Sequence, residues 1–145
     1  EQGHSPGVAL AMKGQFTDSL ELRWSLEYTN QMQRTWMDEP YATEHGAYGV
    51  AILLILNLTE YTVVERARKG TGVDFWLGFQ DAPEDDPFAR AARLEVSGQR
   101  RKNASEFKQR VKEKKAQTHP TDNGATPAYI AVIEFETPQA HVEKK

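Results

Sequence analysis

Cysteine is absent from all 145 residues. That excludes disulfides and thiolate metal sites, leaves carboxylates and histidines to hold any metal, and points to a cytoplasmic protein. A long apolar run is missing too. The most apolar stretch, residues 50–58, falls far short of the roughly 20 residues that cross a bilayer, which argues against a membrane partner. No HxxxH or HExxH pair exists among His4, His45, His119 and His141, so a zinc site has no support. The glycine-rich stretch 69–72 lacks the Gly-x4-Gly-Lys-Ser/Thr spacing and opens no helix; it reads as a turn, not a nucleotide-binding loop. No nucleophile-elbow motif surrounds Ser97. The sequence starts at Glu1 without an initiator methionine, so signals ahead of it stay open.

What is present suits one folded domain with a real core. The net charge of -3 hides an asymmetry: residues 100–115 carry eight Lys or Arg against Glu106 and Glu113, while residues 81–86 are acidic. A cationic stretch on a mildly acidic protein suits an anionic partner such as nucleic acid, DNA first; the alternative is a solvated helix face.

Residues 20–28 alternate apolar and polar side chains, the period of a strand buried on one face, and residues 8–13 supply its hairpin partner across a polar turn. Residues 29–43 read as irregular, with Trp36 and Tyr41 as packing groups. A helix is expected over 44–58, capped by Thr43 and opened by Glu44, followed by strands at 61–66 and 73–77 on either side of the glycine turn. An acidic loop at 81–87 leads to a strand at 92–98, with Leu94 and Val96 on one face and Arg93, Glu95 and Ser97 on the other. Asn103 or Ser105 caps a helix running to residue 117, with Phe107 and Val111 as its stripe. Residues 118–127 read as a loop, 128–135 as a strand buried on both sides, and 136–145 as a frayed tail.

The order from residue 44 is therefore helix, three strands, helix, strand. With Glu44 at the helix start, KGTGVDFWL at 69–77 and LEVSG at 94–98, residues 44–135 resemble the PD-(D/E)XK nuclease superfamily, in particular its Holliday-junction-resolvase-like and restriction-endonuclease-like branches. The resemblance implies an α/β fold: a central mixed β-sheet flanked by two helices, preceded by the N-terminal hairpin and irregular segment at 1–43. It also implies that Asp74 is the strand aspartate, Glu95 the acid of the (D/E)XK triplet, and Glu44 the helix acid that completes a metal shell or positions water. Ser97 takes the lysine position and cannot supply a positive charge. The resemblance implies that a cation can come from the next helix, where Lys108 and Lys112 lie one turn apart, or from Arg101 and Lys102; otherwise these side chains solvate the surface or touch phosphates.

Residue chemistry supports the same site. Phosphodiester hydrolysis needs a hard divalent cation, Mg²⁺ or Mn²⁺, which carboxylates such as Asp74 and Glu95 can hold. An acid between Val73 and Phe75 is costly unless paired, exposed or metal-bound. Arg68, Lys69, Arg100, Arg101, Lys102 and Lys112 would steer DNA phosphates. Two functions stay open: a Mg²⁺-dependent nuclease in prokaryotic defence or repair, and a catalytically inactive nuclease-fold module that binds DNA or a partner protein. The edge of the N-terminal hairpin is available to pair with a partner or with a second copy in a homodimer.

Overall fold

The computed structural model describes residues 2–101, 103–117 and 126–145. Lys102 and residues 118–125 of the expected loop lie outside the described residues.

The expected hairpin is present as β1 (Val8–Gly14) and β2 (Ser19–Leu22). Its second strand stops at Leu22 although the alternation runs on to Tyr28. Alternation makes a strand only where one face has something to bury against, and Trp24, Leu26 and Tyr28 are exposed. The stretch read as irregular holds α1 (Asn30–Thr35), capped by the Thr29 hydroxyl, which accepts from the Met32 N–H at 3.2 Å. It also holds the start of α2 (Glu39–Leu58). The Asp38 carboxylate accepts from the Tyr41 N–H at 3.0 Å, and Pro40 sits in the first turn, where a missing N–H costs nothing. Thr43 is therefore inside the helix, not its cap, and Glu44 belongs to the second turn.

β3 (Tyr61–Arg66), β4 (Phe75–Phe79), β5 (Ala92–Gln99), α3 (Ala104–Gln117) and β6 (Ala128–Glu134) follow in the expected order. Gly70 and Gly72 take φ values of +94° and +75° in the turn before β4, a conformation that side chains resist. A reciprocal cap opens α3: Asn103 Oδ1 accepts from the N–H groups of Ser105 and Glu106, and Glu106 Oε2 accepts from the Asn103 N–H. The expected tail is instead β7 (Gln139–Lys144), with Ala140 and Val142 fully buried. β7 is ordered because β1, from the other end of the chain, pairs with it in parallel while β6 pairs with it antiparallel.

All seven strands form one mixed sheet in the order β2-β1-β7-β6-β5-β4-β3, parallel at β1/β7 and β5/β6 and antiparallel elsewhere. α2 packs on one face over Leu77, Leu94, Val96, Ala131 and Ile133, and α3 packs on the other through Phe107 and Val111 against Ile130 and Val132. Burying this apolar surface is the main driving force for the fold. β4 pairs with β5 only from Ala92 to Leu94, whereas β5 continues along β6 to Gln99. Past β4, the edge of β5 opens between the two helices. Gly98 lets α2 come this close: a Cβ there would lie 2.6 Å from the Thr43 carbonyl oxygen and 2.9 Å from the Ala47 Cβ.

Candidate functional site

The opening beside β5 is a cleft of about 460 Å³, walled by α2, the end of β5 and α3. Asp74 stands immediately before β4, one residue outside the strand expected to contain it. Its N–H donates to the Leu94 carbonyl at 2.9 Å, while the paired β4–β5 register ends with Phe75 opposite Leu94. From there the Asp74 carboxylate reaches the Glu95 carboxyl on β5. The two acids expected on neighbouring strands thus interact, with Glu95 on β5 and Asp74 just ahead of β4.

Each Asp74 oxygen has a partner. Oδ2 accepts from the Val96 N–H at 2.8 Å, and Oδ1 from the Tyr48 hydroxyl at 3.1 Å. The same hydroxyl contacts Glu44 Oε1. One hydroxyl carries one hydrogen, so Tyr48 serves one of these carboxylates at a time. Burial, followed by the contacts with Glu44 and Asp74, pushes the Tyr48 phenol upward, which keeps it a donor.

Glu95 is buried and accepts from the Lys114 ammonium on α3. Burial raises its proton affinity; the Lys114 hydrogen bond opposes the rise, the Asp74 carboxylate adds to it, and the result is a carboxyl above its ordinary value. The sequence reading missed Lys114, but a signal was there. Phe107, Val111 and Lys114 are spaced i, i+4, i+7, so this lysine occupies the register of the helix's own apolar stripe.

The other expected residues divide. Glu44, Ser97 and Arg100 line the cleft with Asp74, and Arg100 also pairs with Glu39 at 3.2 Å. Lys108 and Lys112 do not join them; both are exposed on α3 and neither lines the cleft, because they fall outside its sheet-facing stripe. Arg68 and Lys69 are exposed in the turn leading to Asp74, and Arg101 lies on the surface, 3.8 Å from Glu136. Lys102 lies outside the described residues.

Among the described residues, no group of three or more His, Cys, Asp or Glu side chains is placed to hold a metal ion. The donors present are two facing carboxylates and a carbonyl: the Val96 N–H points at Asp74, and in a strand the C=O of the same residue points to the same edge. Mg²⁺ is commonly held by one or two carboxylates, with water and substrate phosphate completing its shell, so this oxygen set fits such an ion. No described helix is long and apolar enough to cross a membrane. The chain matches no family model, no curated protein and no solved structure.

Proposed function

We propose that the protein is a Mg²⁺- or Mn²⁺-dependent nuclease of the PD-(D/E)XK kind acting on DNA, with Asp74, Glu95 and Lys114 at the reacting phosphate. The observation that carries this reading is the interaction of the Asp74 and Glu95 carboxyl groups, with Lys114 bonded to Glu95, beside the cleft that Asp74 and Lys114 line. A lysine from α3 does what Ser97 cannot: it holds a fixed positive charge where negative charge develops on a phosphoryl oxygen. A divalent ion would be held by Asp74, Glu95 and the Val96 carbonyl; when bound it polarises the phosphate and lowers the pKa of a water.

The remaining residues position and bind. The Val96 N–H and the Tyr48 hydroxyl fix the Asp74 carboxylate from both sides, so little reorganisation is needed when substrate arrives. Glu44, beside Tyr48 at the cleft wall, can accept a proton from a water on that side. Arg100 and Arg110 draw phosphates to the cleft, with affinity that falls as salt rises. Such an enzyme would act in the cytoplasm, in prokaryotic defence or repair, with the outer edge of β2 open to a second copy or a partner protein.

The test incubates the protein with plasmid and oligonucleotide DNA in Mg²⁺ or Mn²⁺, alongside Asp74→Ala. Metal-dependent cutting that Asp74→Ala abolishes is the expected result. DNA that is bound but never cut, with a melting temperature that no divalent ion raises, replaces the enzyme with the inactive binding module.

A further inference from the structure

Five rings run in series along one flank of the cleft. Tyr41, His45 and Tyr48 are spaced i, i+4, i+7 on α2 and so form one row on the helix. Ahead of them Trp36 stacks on Tyr41, with centroids 5.9 Å apart and planes 23° from parallel. Tyr41 lies 3.9 Å from His45, His45 lies 5.6 Å from Tyr48, and Tyr48 meets Phe75 edge-on at 5.1 Å. Packing accounts for the inner end, where Tyr48 and Phe75 are each 7% exposed. It does not account for the outer end, where Trp36 is 39% and Tyr41 51% exposed. Contrary to the sequence expectation, these two rings present much of their surface to solvent.

Single exposed aromatics are ordinary and need no explanation. Two observations set this row apart. First, it is continuous with the cleft, since the Tyr48 hydroxyl touches both Glu44 and Asp74. Second, a cation meets its inner end: the Arg66 guanidinium lies 4.9 Å over Tyr48 and 5.7 Å over Phe75, and Arg68 and Lys69 are exposed just after it in the chain. Exposed rings beside a track of positive charge are how proteins hold single strands, because every unpaired base offers a π-face and every nucleotide a phosphate. A continuous duplex buries those faces in its own stack and has nothing to lay on Tyr41 or Trp36.

We infer that the Trp36–Tyr41–His45 row is a stacking platform for unpaired bases, so that the candidate site takes a nucleic-acid strand whose bases are free, a single strand or a frayed end. The claim about substrate class rests on the nuclease reading; the claim about binding does not. The platform holds the bases, Arg66 and its neighbours hold the backbone, and the strand is led from Trp36 toward Asp74.

Binding is measured first without metal, in EDTA, by fluorescence anisotropy of a labelled oligothymidylate and of the same strand paired with oligoadenylate. The single strand should bind at least tenfold tighter than the duplex at equal salt. Tyr41→Ala and Trp36→Ala should each weaken single-strand binding roughly tenfold, as expected for the loss of one stacked base. Tyr41→Phe, which keeps the ring, should bind as the parent does. Duplex bound as tightly as single strand overturns the inference. So does full affinity in Tyr41→Leu, since a leucine keeps an apolar surface suited to a protein partner but offers no ring to a base. Cleavage in Mg²⁺ is then scored separately. Ring-dependent binding with no cleavage upholds the platform and removes the nuclease reading, whereas cutting of intact duplex that Tyr41→Ala and Trp36→Ala leave unchanged removes the platform and keeps the nuclease.

Discussion

The two faces of the central sheet are built from the same strands and do opposite things. Under α2 the alternate residues are Leu94 and Val96 on β5, Tyr129, Ala131 and Ile133 on β6, and Ala140 and Val142 on β7, all buried and all but one without a polar side-chain atom. Under α3 the intervening residues include Arg93, Glu95, Ser97 and Gln99 on β5, Glu134 on β6, and Gln139, His141 and Glu143 on β7, with only Ile130 and Val132 as apolar ground for Phe107 and Val111. α3 is fastened partly by charge: Lys114 reaches Glu95, and Lys115 lies 2.6 Å from Glu143. The dry face secures the fold, and that lets the wet face keep buried ionisable groups that would otherwise be a liability. The cleft lies where the wet face meets the open edge of β5.

Neighbouring residues on the two faces offer the sharpest way to break this contrast. Leu94→Ala, on the dry face, should cost about 2–5 kcal/mol in urea unfolding, because a fully buried leucine leaves a cavity that its neighbours cannot fill. A loss well below that range would mean the α2 face is not the stabilising one. Gly98→Ala comes next, at about 1–3 kcal/mol, because its Cβ would meet the Thr43 carbonyl and push α2 off β5. It should also lower activity, since Glu44 and Tyr48 move with that helix.

Glu95→Gln, one residue from Leu94, should have an effect that depends on pH, as a Leu94 cavity does not. The raised proton affinity of Glu95 means that the stability linked to its proton is full below its ordinary value near 4.5 and is lost as pH rises through the raised value. The glutamine variant, which can still accept from Lys114 but no longer pairs with its charge, should therefore improve relative to the parent as pH rises through that raised value. Urea unfolding at a series of pH values checks this; a loss as large as that of Leu94→Ala at neutral pH would erase the difference between the faces. The smallest effect belongs to Glu143. Burial alone would raise it, but hydrogen bonds from Lys115 and His141 leave it below its ordinary value. Its contribution is present above about pH 4.5 and fades as pH falls through the lowered value. Glu143→Gln should cost no more than about 1 kcal/mol at neutral pH and nothing in strong acid.

Local pattern revealed what depends on local pattern. β3 matches its expected bounds, the order of elements from α2 to β6 holds, and Asp74 and Glu95 come within reach of each other. β7 was hidden because QAHVEK carries only two buried apolar residues, and its order depends on β1, more than a hundred residues away. The true start of α2 is written in Asp38 and Pro40, a capping carboxylate and a first-turn proline, five residues ahead of the expected Thr43 cap. Lys114 was hidden by its company: in a helix with four other lysines or arginines, only its place on the Phe107–Val111 stripe separates it from solvated neighbours such as Lys108.

That last distinction is also the most direct test. Single-turnover cleavage of labelled DNA in Mg²⁺ should fall by roughly 10²–10³ in Lys114→Met, the usual cost of removing one charge-stabilising donor from a preorganised site. Lys108→Met should cleave as the parent does. Cleavage that survives Lys114→Met and falls in Lys108→Met would contradict a hydrolytic site built on Asp74, Glu95 and Lys114.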